Sequence, residues 1–596
     1  WNWNAPLIIS PHDPKRLYYG AERLLRSDDR GESWTEVSGD LGRGIDRNEL
    51  EVMGRVWSVD AIAKNDSTSP WGSLIAIDES PLSEGLIYAG TDDGLIHVTG
   101  DGGESWRTVD AFRGVPDMAL VEDIIASVHD VNVAYAAIDN HKRGDYRPYL
   151  LKTTDQGRSW RLINADLPER GTVHTIAEDH VDPNLLFAGT EFGVFFSTDG
   201  GGNWTELSSM PTIAARDIEI QRREGDLVVG TFGRGIYILD DYSPLRTPRE
   251  ALDEPTLFGV RNTWLYLPDS RRGWGGKGDF GIGRYAAENP PYGAVFNYYL
   301  PKSLQTLKEQ RREAEKERAK EGGDNPYPAW DRLRREDREE PPSVVLTVRD
   351  ADGEVVRRVN GEAKKGFNRV AWDLRYPAPD PVNLNPRTDF APWESPPQGP
   401  LARPGEYTVT LSRRVRGEWQ DLSGPQSFIV KPLYSGGLVA ADRAALLKFQ
   451  MQTDALYRAV TGADKAADEL QQRIDHLLQA MTDTRRATEE QAGAVRALNA
   501  RLQDFGIKLN GDTTISSRNE PVPMSISDRV GWLVFGHWDS QSGVTGNYRD
   551  SYAIAERQFG EALAELKAIA ADLETVEAEL QDLGAPWTPG RIPDWP

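Results

Sequence analysis

The sequence predicts a mainly β, multidomain chain. It would hold a partial β-propeller of about five blades, then a β-sandwich, then a C-terminal antiparallel helical bundle. Three observations predict this. A tryptophan-terminated motif recurs four times within residues 1–245. Strand-like runs and an Asp-Gly turn occupy residues 246–435. From 436 to 596 the apolar period becomes helical.

A chain of 596 residues exceeds one hydrophobic core, so several structural units are expected. Its 69 Lys and Arg against 93 Asp and Glu give a net charge of -24. That balance disfavours nucleic acid and anionic membranes, which require a cationic face. Cysteine is absent, which excludes disulfides, thiol nucleophiles and zinc-thiolate sites. No stretch approaches the roughly 18 apolar residues of a spanning helix. The opening Trp1-Asn2-Trp3-Asn4 reads like the interior of a longer protein, so any export signal is expected upstream.

The repeat has the form Ser/Thr-x-Asp-x-Gly-x-Ser/Asn-Trp. Its copies place Asp29, Gly31 and Trp34; Asp101, Gly103 and Trp106; Asp155, Gly157 and Trp160; and Asp199, Gly201 and Trp204. An Asp side chain in such a turn accepts backbone N–H groups. Glycine supplies a positive φ, and Trp supplies an apolar plug between sheets. Before each box runs an apolar strand, as at Leu17-Tyr18-Tyr19-Gly20 and Leu185-Leu186-Phe187-Ala188-Gly189. A fifth copy, Leu227–Leu239, has the strands without the staple. Each unit holds about four short strands, the content of one propeller blade.

These residues resemble the Asp-box (BNR) repeat family, which includes sialidases, oligoxyloglucan-type hydrolases and the sortilin/Vps10 receptor domain. The resemblance covers roughly residues 5–242. It implies that the boxes are structural and lie away from the ligand face. Five blades are few for this family, so missing blades are expected upstream in the same protein or on a partner chain.

In the middle segment, the Gly/Arg-rich stretch 271–278 reads as a connector. The charged run 303–338 reads as one solvated helix, and the Pro-rich stretch 377–404 as a loop that docks Phe390 and Trp393 on a neighbouring domain. The strands around the Asp352-Gly353 turn resemble immunoglobulin- or fibronectin-like modules. In the tail, Leu470, Ile474, Leu477 and Met481, then Leu498, Leu502 and Phe505, then Leu563 to Leu583, form single apolar stripes that must pair. Residues 510–547 read as a loop-rich insert carrying Trp532, Phe535 and Trp538.

Candidate acids near strand ends are Asp78, Glu79, Glu122, Asp123, Glu178, Asp179, Glu191, Asp217 and Asp240. Arg55, Arg216 and Arg234 are available to grip an anion. His12, His97, His129, His141, His174 and His180 show no metal-ligand spacing, so neither metal nor cofactor is expected. The turns at His12-Asp13-Pro14 and His180-Val181-Asp182-Pro183 occupy equivalent places in the repeat. No motif selects a catalytic residue, and whether the chain is an enzyme is left open. The first expectation, implied by the sortilin branch, is an exported bacterial protein, secreted, periplasmic or on the cell surface, that binds a protein, peptide or glycan without catalysis. The alternatives are a glycoside hydrolase using two carboxylates at the propeller mouth and a structural subunit of a cell-envelope complex.

Overall fold

The computed structural model describes residues 1–596 except 67–70, 209, 269–286, 288, 391–393, 395, 435–439, 594 and 596. The stretch 271–278 and Trp393 therefore lie outside the described residues. The chain divides into two compact units, Trp1–Ala251 and Leu252–Pro596.

The first unit is five antiparallel sheets in succession. Sheet 1 runs through Leu7–Ile9, Leu17–Gly20, Leu24–Ser27 and Thr35–Glu36. Sheet 2 runs through Leu74–Glu79, Ile87–Thr91, Ile96–Thr99 and Arg107–Val109. Sheet 3 comprises Leu120–Ala126, Ala134–Asp139, Tyr149–Thr153 and Arg161–Leu162. Sheet 4 comprises Val173–Glu178, Leu186–Thr190, Gly193–Ser197 and Thr205–Glu206. Sheet 5 has three strands, Ala215–Gln221, Asp226–Thr231 and Ile236–Leu239. Strands follow sequence order in every sheet. The first strand of each sheet packs on the first strand of the next. The sheets therefore fan about their first strands, a β-propeller-like arrangement.

The four boxes are near-identical staples. In the first, Ser27 Oγ donates to Asp29 Oδ1 at 2.7 Å and accepts from Gly31 N–H at 2.8 Å. Asp29 also accepts from Ser33 N–H at 2.9 Å and Ser33 Oγ at 2.6 Å. The same four contacts recur around Asp101, Asp155 and Asp199, with Asn203 replacing the second serine in the last. Gly31, Gly103, Gly157 and Gly201 all have positive φ, from 72° to 103°, which only glycine adopts without strain.

Three of the four tryptophans lie between sheets. Trp106 donates to Val37 C=O at 3.1 Å and Trp204 to Ile163 C=O at 2.7 Å, each reaching the preceding sheet. Trp160 packs into the core between sheets 2 and 3. Trp34 does not plug. It bonds its own Gly31 C=O and stays exposed, because no sheet precedes sheet 1 among the described residues.

In the second unit, a three-stranded sheet (Thr256–Leu257, Ala294–Leu300, Gly366–Trp372) and a five-stranded sheet share one core. The latter is built from Thr263–Leu265, Glu418–Pro432, Gly405–Val415, Ser343–Asp350 and Val355–Gly361, with the first pair parallel. The charged segment is two helices, Leu307–Lys320 and Trp330–Arg338. Gly322 at φ 76° and the prolines 326 and 328 break it. Arg311 then ties the halves together through Glu336 at 2.8 Å. Phe390 stacks with Arg387 of its own loop, 5.1 Å away.

The helices Arg443–Thr482, Glu489–Asn510 and Gly546–Asp582 bury the three expected stripes in one cluster. The 510–547 insert corrects the loop expectation. It contains a short helix, Thr513–Ser516, and a fourth bundle helix, Ile526–His537, capped by Ser525. Ile526, Val530 and Leu533 are buried, as is Trp538 just beyond the helix, while Phe535 faces solvent.

Candidate active site

The first strands carry a cluster of ionisable side chains. Each of sheets 2 to 5 has a register shift near the start of its first strand, so that one residue has no cross-strand partner. The bulged residues are Ile75, Glu122, His174 and Arg216. A bulge re-aims a side chain out of the ladder, which is why bulges accumulate at functional sites. Here three of the four meet. Arg216 Nη2 lies 3.2 Å from Glu122 Oε1, and Arg216 Nη1 lies 2.9 Å from His174 Nδ1. His174 Nε2 lies 2.9 Å from Glu191 Oε2.

This network fixes the histidine's tautomer. Burial holds the His174 pKa below its ordinary value, so the ring is neutral at pH 7. Arginine only donates, so Nδ1 is the acceptor and Nε2 carries the hydrogen given to Glu191. Burial raises the Glu122 carboxyl, and Arg216 opposes that rise.

Further along the same strands sit two more acids. Asp78 accepts from Ala126 N–H of sheet 3 at 2.7 Å, and burial pushes its pKa up to about 7. Asp123 accepts from Thr175 Oγ1 at 2.9 Å and Ile176 N–H at 3.1 Å, and burial pushes it up to about 6. A neighbouring carboxylate adds to each rise: Asp123 acts on Asp78, and Asp217 acts on Asp123. Carboxyls held near neutrality are suited to proton donation.

Beside this network lies a cleft of about 510 Å³. Trp3 and Trp71 give it aromatic surface, and Asn2, Asp92, Asp139 and Lys142 give it polar groups. Asp92 braces the wall, accepting from Gly72 N–H, Ser73 N–H and Asn2 Nδ2 within 2.9 Å. Asp139, buried and paired with His141 Nδ1, joins the cleft to the network, since its charge acts on both Glu122 and His174. Aromatic faces beside amides and carboxylates match a ligand with apolar C–H faces and many hydroxyls.

The remaining candidates are elsewhere. Glu79 accepts from Gly85 N–H, and Glu178 accepts from Ser127 Oγ, Val128 N–H and Tyr135 OH, so both pin turns. Asp179 is buried under Arg246 at 2.8 Å and Tyr242 OH at 2.6 Å. Asp240 follows the last strand of sheet 5. Arg55 stacks on Trp57 at 3.6 Å, and Arg234 lies in the turn after Asp226–Thr231. His97 is buried against Thr108. His12 and His129 bond the carbonyls of Ser80 and Asp179 in the next sheet. The histidine equivalent to His12 is thus His129 rather than His180, which sits one position earlier in its turn. Among the described residues no cluster of His, Asp and Glu has metal-binding geometry.

No family model matches the chain. It is 26% identical over 145 residues to a xyloglucanase of Hypocrea jecorina, covering 22% of this chain and 17% of that protein. It is 25% identical over 161 residues to a xyloglucanase of a Paenibacillus species, covering 25% of this chain and 16% of that protein. The chain thus spans under a fifth of the length of these curated relatives. Among solved structures it is similar to a GH74 xyloglucanase from Xanthomonas campestris at 16% identity and a TM-score of 0.30, over 70% of this chain and 71% of that one.

Proposed function

We propose that the first unit acts on glycans, as a glycoside hydrolase of the propeller type. The observation that carries this is the convergence of the bulged Glu122, His174 and Arg216 from three sheets, beside acids tuned to neutral pH and an aromatic cleft. The Asp78–Asp123 pair donates the proton to the departing glycosidic oxygen. Glu122, whose anion Arg216 stabilises, is the second carboxylate, acting on water or on the anomeric carbon. Similarity to xyloglucanases supports a β-glucan backbone bearing side chains as the substrate class. Such substrates lie outside the cell, and we place the protein there. The two sheets of the second unit are an immunoglobulin-like accessory, and further sheets of the same repeat complete the wall begun by the five first strands.

The test is product analysis on a polysaccharide panel including xyloglucan, with Glu122→Gln and Asp123→Asn as controls. Release of oligosaccharides by the wild type, falling at least about 100-fold in each variant, is expected. Glycan binding without release would replace this reading with the non-catalytic one.

A further inference from the structure

The second unit carries two clefts that share one hairpin turn. Gly405–Val415 and Glu418–Pro432 are joined by Arg416-Gly417, both at positive φ, the geometry that suits a two-residue hairpin. A cleft of about 820 Å³ and another of about 690 Å³ both reach this turn, and Arg416 lines both.

The smaller cleft is cationic in a chain of net charge -24. Arg332, Arg335, Arg338 and Arg416 line it against Glu339 and Glu340. The first three recur at three-residue steps along the helix Trp330–Arg338, so they share a face. The carboxylates nearby are already engaged. Glu336, its side chain 2% exposed, takes Arg311 at 2.8 Å and Arg332 at 3.4 Å. Glu339, its side chain also 2% exposed, accepts from Leu307 N–H at 2.5 Å and Arg416 Nε at 3.3 Å. Glu340 stands 3.6 Å from Arg414. Helical spacing gives Arg338 only Arg334 four residues back, and Glu339, four residues after Arg335, is held by the hairpin. Arg335 therefore bonds only the Asp331 carbonyl, and Arg338 has no partner among the described residues. Two exposed guanidinium groups share one cleft without a carboxylate, above ion pairs that fix their helix.

The larger cleft is mixed. Trp419 lines it with its indole 51% exposed, and the Arg358 guanidinium lies 5.8 Å from that ring. Across the strand pair, Arg413 gives Nε–H and Nη2–H to the amide oxygen of Gln420, at 2.9 and 2.6 Å. Its acids, Asp253, Glu254 and Glu418, are matched in number by Lys302, Arg413 and Arg416, so net charge does not choose its ligand. An indole beside amides does, because it fits a ring with C–H faces and hydroxyls around its rim.

We propose that the two clefts form one groove that binds an acidic polysaccharide, with a sugar ring against Trp419 and uronate carboxylates on Arg335 and Arg338. Guanidinium and carboxylate meet as matching two-pronged forks, a geometry that lysine does not offer. A bare polyanion would leave the indole and amides unused, and a neutral glycan would leave both guanidinium groups unused. The groove lies wholly in the second unit and does not rest on hydrolysis by the first.

The test is titration calorimetry of the full chain with an oligogalacturonate, the same oligomer as its methyl ester, and inorganic polyphosphate. The variants are Arg335→Gln combined with Arg338→Gln, and Trp419→Ala. All three side chains are exposed, so the near-UV circular dichroism of each variant is expected to match the wild type. The oligogalacturonate is expected to bind, less tightly as salt is raised. The ester and the polyphosphate are expected to bind at least about tenfold more weakly. The double arginine variant is expected to lose at least about tenfold for the acid and nothing for the ester, whereas Trp419→Ala weakens both. An oligogalacturonate that does not bind, equal affinity for acid and ester, polyphosphate that binds as tightly, or full affinity in the arginine variant would each overturn the proposal. The comparison of acid with ester uses the wild type alone, so it decides the matter even where a variant misfolds. Turnover of a neutral glucan does not enter these measurements, and the hydrolase reading is judged by its own test.

Discussion

Single side chains in the first unit divide into those the fold uses and those it leaves for chemistry. The box aspartates belong to the first group. Asp155 accepts from two hydroxyls and a main-chain N–H, and these contacts hold its pKa down near 2 against the opposing effect of burial. Asp155→Ala is expected to cost about 2 kcal/mol of unfolding free energy while leaving turnover unchanged, as measured by chemical denaturation and rate assay on the same sample. Asp78 belongs to both groups, since it also accepts Ala126 N–H of sheet 3. Its folded pKa of about 7 lies above the unfolded value of 3.8, so the fold favours its protonated form. The associated stability is fully present below about pH 4 and is lost as pH rises through 7. Calorimetry from pH 4 to 8 is therefore expected to show a smaller loss of Tm with rising pH for Asp78→Asn than for the wild type. An identical slope would show that the carboxyl is not held protonated.

At the level of elements, small residues at the ends of second strands admit the next sheet. Gly189→Ala is expected to destabilise by about 1–3 kcal/mol, because the added methyl meets main chain. Gly230→Ala, whose added methyl meets nothing closer than Asp217 of its own sheet at 3.5 Å, is expected to be close to neutral, and paired urea titrations decide between these outcomes. The boxes were readable because every partner lies within four positions. The bulge network was not, because His174 and Glu122 lie 42 and 94 positions from Arg216. Glu122, His174, Glu191 and Arg216 were all on the candidate set, but nothing local joined them, and Asp139 was absent from it. The strand Glu418–Pro432 escaped because Gly424-Pro425 reads as a breaker. The helix Ile526–His537 escaped because Gly531 and Gly536 interrupt its pattern, although Ser525 with Asp528 gives a legible start.

For the molecule as a whole, the functional claim rests on repetition. One repeat, copied, puts an equivalent bulge on successive first strands, and substituting the bulged residue alone turns a structural device into a row of Glu, His and Arg. The second unit buries its helical stripes in a single core, so Ile474→Ala is expected to cost about 2–5 kcal/mol and to leave glycan turnover by the folded protein unaffected. The most direct measurement is the ratio of kcat/KM for Glu122→Gln to that of the wild type on a xyloglucan oligosaccharide, with Asp155→Ala as the fold control. The account predicts a loss of at least about 100-fold for Glu122→Gln and none for Asp155→Ala. A wild-type rate in Glu122→Gln would contradict it.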